Sequence, residues 1–118
     1  MVVEDEEDIR LLIHMRLRAD PRIQIAGEAS SAAEAIELVR TTSPGLIILD
    51  HAIEGNIMGI EAAPLLKEAA PRSKILLFTA FDLAEAAREE PAIDAFLSKM
   101  HVEQLLPKVQ EMLGLEPL

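Results

Sequence analysis

A chain of 118 residues, half of them hydrophobic and 27% charged, has the length of one folded domain (residues 1–118) and enough apolar side chains for a core. Its formal net charge of −10 would be repelled by a phosphate backbone, which argues against direct nucleic-acid binding. The lack of cysteine excludes disulfides and thiolate-bound zinc, and the lack of Trp and Tyr removes the usual stacking platforms; no apolar run reaches a membrane span, and the early acidic residues do not fit a signal peptide, so a cytoplasmic protein is expected.

Taken in order, apolar runs alternate with helical patterns. Val2-Val3 leads into Glu4-Asp5, and Ile9, Leu12, Ile13 and Leu17 then recur at helical spacing, with Asp5 to Asp8 supplying negative charge at the helix start. Asp20-Pro21 stops this helix, and Ile23, Ile25 and Ala26 alternate as a second strand closed by Gly27. Ser31 and Glu34 fit a capping box for a helix carrying Ala32, Ala35, Ile36 and Val39 on one face. Ser43-Pro44-Gly45 breaks the chain before Leu46-Ile47-Ile48-Leu49, which ends in Asp50. A polar loop leads to a helix from Gly59 through Ala70, followed by a strand from Lys74 to Phe78 that delivers Thr79. Phe81 to Glu90 reads as a short helix cut by Pro91, and Ile93 to Leu97 as a fifth strand that delivers Lys99. The last helix, Val102 to Leu113, contains Pro107 past its first turn and should be bent or delayed there.

Five strands alternating strictly with five helices predict a doubly wound parallel α/β sheet, because parallel strands need crossover connections. In such sheets ligands bind at the carboxyl edge of the strands. Glu4, Asp5, Asp50, Thr79 and Lys99 all fall at that edge. Carboxylates grouped there suit Mg²⁺ or Mn²⁺ better than zinc. Asp50 has three open roles: metal ligand, helix cap, or nucleophile accepting a phosphoryl group, with Lys99 and Thr79 available to bind the phosphoryl oxygens.

The segments VVEDEEDIR, LIILD, LLFTAF and DAFLSK resemble, in order and spacing, the marks of a bacterial two-component response-regulator receiver domain. The stretch from Leu17 to Asp50 is similar to the subfamily whose receivers often precede a helix-turn-helix DNA-binding domain. The resemblance implies a flavodoxin-like sheet in the order 2-1-3-4-5. It makes Asp50 the phosphoacceptor, supplied by a histidine kinase or phosphotransfer protein. It assigns Mg²⁺ to Asp5, Asp50, the Ala52 backbone carbonyl and, through water, Glu4. Thr79 and Lys99 would contact the phosphoryl oxygens, and Phe96 would be the aromatic partner of Thr79 in switching. The only catalysis implied is self-phosphorylation and autodephosphorylation. A face including Leu83, Phe96 and Val102 would carry partner contacts and phosphorylation-dependent homodimerisation.

Four departures border the site. Glu54 stands where the family carries proline, and the loop before Gly59 is about one residue longer than usual. Met100 replaces the proline after the lysine; a cis bond there would cost about 3–4 kcal/mol, so Lys99–Met100 is expected trans. Pro91 shortens the preceding helix. These departures sustain an alternative, a degenerate receiver that acts as a phosphorylation-independent interaction module. A hydrolase of external phosphate esters fits less well, because Ala52 occupies the place of the second acid such enzymes use. His51 is expected at the rim or on the opposite side of the sheet, and His14 and His101 on the surface.

Overall fold

In the computed structural model, which describes residues 1–118, the apolar runs form β1 (Val2–Val3), β2 (Glu28–Ala29), β3 (Leu46–Leu49), β4 (Lys74–Thr79) and β5 (Ala95–Ser98). All pairings are parallel, in the order β2-β1-β3-β4-β5. The crossovers are α1 (Glu7–Leu17), α2 (Ala32–Thr42), α3 (Gly59–Ala69) and α4 (Ala84–Glu89), and α5 (Leu105–Met112) follows the last strand. This is the doubly wound arrangement expected from the alternation, with the flavodoxin-like strand order that the resemblance implies.

The unbroken apolar runs are explained by burial on both faces of the sheet. Along β3 and β4, Ile47, Leu49, Ile75 and Leu77 join Val3 in a core covered by α2, α3 and α4. Their neighbours Leu46, Ile48, Leu76 and Phe78 join Val2 and Leu97 in a second core, against Ile13 and Leu17 of α1 and Leu105, Val109 and Met112 of α5. Side chains alternate faces along a strand, so every residue of such a strand must be apolar.

Several boundaries differ from expectation. The second strand pairs at Glu28–Ala29, not at Ile23–Ala26. Val2 lies opposite Glu28, so residues 23–26 run beyond the paired part of β1; Ile23 and Ile25 pack instead against the α1/α5 core. The alternation there reports one-sided burial without a ladder. The fifth strand likewise begins at Ala95, two residues later than Ile93. α4 ends at Glu89 because Pro91 drives Glu90 into an extended conformation (φ −97°, ψ 109°). Residues Lys99–Gln104 form two short 3₁₀ pieces kinked at His101, and α5 proper starts at Leu105, which places Pro107 in its first turn, where a missing N–H costs nothing. The delay expected from Pro107 is thus observed. At α2, Ser31 Oγ accepts from the Glu34 N–H at 3.2 Å, while the Glu34 carboxylate accepts from the Ser30 N–H at 2.8 Å, one residue earlier than a standard capping box.

Away from the carboxyl edge, Asp20 is fully buried and accepts from Arg22 (2.8 Å) and Gln110 (3.0 Å). Its hydrogen bonds to Arg22 hold its pKa well below the usual carboxylate range, outweighing the effect of burial. This network ties the α1–β2 connection to α5.

Candidate functional site

The register of the sheet builds the site. Val3 pairs with Leu49, so the residues that follow, Glu4 and Asp50, leave β1 and β3 side by side. Thr79 pairs with Ser98, and Lys99 follows on the outer strand β5. Ligand oxygens of Glu4, Asp5 and Asp50 can all lie within 4.8 Å of one another. Although β5 is two strands away from β3, the long Lys99 stem carries Nζ to 3.0 Å from Asp50 Oδ2 and 2.6 Å from Glu4 Oε1.

Backbone donors complete the shell. The His51 N–H donates to Asp50 Oδ1 at 2.7 Å, and the Glu6 N–H to Glu4 Oε2 at 3.2 Å. Arg10 of α1 donates to the Glu4 carbonyl at 2.8 Å. Glu4 and Asp50 are buried, whereas Asp5 is half-buried and open to the rim. Burial pushes Glu4 up to about 7, with Asp50 adding to the rise and Lys99 opposing it through its hydrogen bond. Lys99 is also desolvated, yet its hydrogen bonds to Glu4 and Asp50 raise its pKa above the usual lysine value. Three carboxyl groups face one ammonium group, so the site carries an excess of negative charge.

Thr79 is fully buried at the end of β4, and its Oγ1 accepts from the Phe81 N–H at 3.4 Å, a long bond. Phe96 is half-buried and packs against the core under α2, α3 and α4. Ala52 is half-buried in the β3–α3 loop. Every peptide bond is trans, including Lys99–Met100, as expected. Glu54 donates its N–H to the Ser30 carbonyl at 3.0 Å, a bond that proline could not make.

Residues 1–110 match the family described as the response regulator receiver domain. The chain belongs to that family. It is 33% identical over 81 residues to the transcriptional regulatory protein LiaR of Bacillus subtilis; the aligned part covers 69% of this chain and 38% of LiaR. This receiver therefore corresponds to well under two thirds of its curated relatives' length. Its structure resembles response regulator TrrA of Thermotoga maritima, solved in complex with Mg²⁺-BeF (28% identity, TM-score 0.79, covering 94% of this chain and 95% of that one). The fold is also that of the NarL signal receiver domain of Mycobacterium tuberculosis (21% identity, TM-score 0.84, covering 96% and 93%). The similarity to LiaR agrees with the subfamily resemblance of the Leu17–Asp50 stretch.

Two residues of the receiver's site escaped the sequence reading. Gly59, the first residue of α3, abuts the Asp50 backbone: a Cβ there would stand 2.2 Å from the Asp50 carbonyl oxygen. His51 is half-buried in the loop after β3, at the rim, but it does not stand free there. Its Nδ1 accepts from the Ile60 N–H at 3.3 Å, and its ring meets that of Phe81 edge-on with centroids 5.9 Å apart. The Gly59 signal was present as a glycine at a helix start; nothing in the spacing of His51 marks its partner. The other two histidines lie at the surface as expected, His14 against Glu28 at 2.7 Å and His101 near Glu103. Leu83, Phe96 and Val102 are each only partly exposed.

Proposed function

We propose that this receiver is a phosphoacceptor switch of a two-component system, in which Asp50 takes a phosphoryl group from a histidine kinase or phosphotransfer protein. The observation that carries the reading is Lys99 Nζ bonded to both Asp50 and Glu4 while Asp5 completes the acidic cluster. An all-oxygen donor set with surplus negative charge suits a hard divalent cation. Burial raises the Glu4 pKa to about 7, and the neighbouring Asp50 charge adds to the rise. Asp5, Asp50 and the Ala52 carbonyl would hold Mg²⁺, with Glu4 acting through water. Bound there, Mg²⁺ supplies neutralisation of the phosphoryl oxygens.

An Asp50 carboxylate oxygen attacks phosphorus, the P–N bond to the donor histidine breaks, and its electron pair leaves with the imidazole. Lys99 neutralises charge on the transferring group, and Thr79 gives up its long bond to the Phe81 N–H to donate its own hydroxyl to a phosphoryl oxygen. The space vacated by Thr79 admits Phe96, already half-buried beside the core. The resulting change falls on the face bearing Leu83, Phe96 and Val102, where it promotes partner binding or homodimerisation. The setting is cytoplasmic, and this domain itself contacts neither membrane nor nucleic acid.

Incubation with acetyl phosphate and Mg²⁺ is expected to add one phosphoryl mass to the parent chain and none to Asp50→Asn. Equal behaviour of the two would refute the assignment. The alternative, a phosphorylation-independent interaction module, draws on the Glu54–Ser30 bond as a sign that the β3–α3 loop is built differently. It predicts no Asp50-dependent Mg²⁺ uptake.

A further inference from the structure

We propose that His51 is a positioning residue for the Asp50 site, fixing the β3–α3 loop by accepting the Ile60 N–H on its ring. The inference rests on the reading of Asp50 as phosphoacceptor. Three bonds converge on His51: its N–H donates to Asp50 Oδ1 at 2.7 Å, its carbonyl accepts from the Gly59 N–H at 2.8 Å, and Nδ1 accepts from the Ile60 N–H at 3.3 Å. Gly59 and Ile60 open α3, so their N–H groups have no acceptor within the helix. His51 therefore caps α3 from across the loop and closes the segment between them.

That segment needs such a closure. It lacks proline at position 54, where the Glu54 N–H is tied to the Ser30 carbonyl instead, and beyond that bond Gly55 adopts a positive φ of 102°. His51 lies between Asp50 and Ala52, and holding its ring holds the peptide units on both sides. Phe81 also packs on this ring, edge-on at 77°. With Nδ1 accepting, the proton of the neutral ring sits on Nε2. A ligand set assembled from Asp50 and the Ala52 carbonyl thus depends on a side chain that touches neither metal nor phosphate.

Three variants isolate the acceptor. His51→Phe keeps a ring against Phe81 and removes Nδ1; His51→Leu removes both. His51→Asn places an amide oxygen as many bonds from Cα as Nδ1 and restores an acceptor. Calorimetric titration of the full chain with Mg²⁺ is expected to give about tenfold weaker binding for the Phe and Leu variants, with the Asn variant within about twofold of the parent. Amide exchange at Ile60 should quicken in the Phe and Leu variants only. A merely structural role would lower the melting temperature without moving Mg²⁺ affinity. Parent-like Mg²⁺ binding by the Phe and Leu variants, or an Asn variant as weak as they are, overturns the proposal. If the parent itself takes up no Mg²⁺, the phosphoacceptor reading fails instead. Ile60 exchange then decides the bond separately, and unchanged exchange in His51→Phe refutes it.

Discussion

Replacing Gly59 by alanine sets two effects of opposite sign against each other. Alanine is the better helix former by about 1 kcal/mol, so propensity alone predicts a more stable protein. The close contact predicts the reverse. A Cβ at Gly59 meets the Asp50 carbonyl oxygen at 2.2 Å, His51 Cα at 2.8 Å and the Asp50 carbonyl carbon at 2.9 Å. All three are backbone atoms, so no side chain can rotate aside, and α3 must move away from β3. Over-packing costs up to about 3 kcal/mol. Subtracting the propensity gain leaves a net loss of about 2 kcal/mol, or ~8 °C in melting temperature for a domain of this size. Thermal denaturation followed by far-UV circular dichroism measures it. Gly45→Ala is the control: its Cβ would meet only Leu113 Cδ2, at 3.4 Å, and the melting temperature should stay within ~2 °C of the parent. An unchanged or raised melting temperature for Gly59→Ala would refute the argument, because it would mean that α3 is free to shift against Asp50.

Other consequences are as open to measurement. Ser43 sits just past α2 in the left-handed region (φ 44°, ψ 58°), so Ser43→Gly should stabilise by about 0.5 kcal/mol, seen as a higher urea midpoint; a loss would contradict the strain. Lys99→Met leaves Glu4 and Asp50 without their cation and should cost about 3 kcal/mol in metal-free buffer, with the deficit narrowing as Mg²⁺ is added; a neutral substitution would show that the ammonium contributes nothing net. Asp20 has a lowered folded pKa, so as pH falls the unfolded chain takes up the proton first. Its stabilising contribution is present above about pH 4, the ordinary aspartate value, and is lost below it. The fall in urea midpoint between pH 5 and pH 3 should therefore be smaller in Asp20→Asn than in the parent, and equal falls would remove Asp20 from the acid response.

The primary sequence determined this receiver's architecture because local rules suffice for it. Strands buried on both faces must read as apolar runs, β3 and β4 among them, and parallel pairing forces a helix between each pair. The end of each run also announced which polar residue reaches the carboxyl edge, so Glu4, Asp5, Asp50, Thr79 and Lys99 were legible before any coordinates. Pairing and contact across the chain were not. Ile23 and Ile25 carry the alternation of a strand but have no ladder, because hydrogen-bond partners are fixed by the register of β1 and not by the residues themselves. The close approach of Gly59 to Asp50, the Ile60–His51 bond and the reach of Lys99 over to Glu4 depend on where separate elements stop in space. Periodicity encodes which face a side chain occupies; only folding decides which distant atom it meets there.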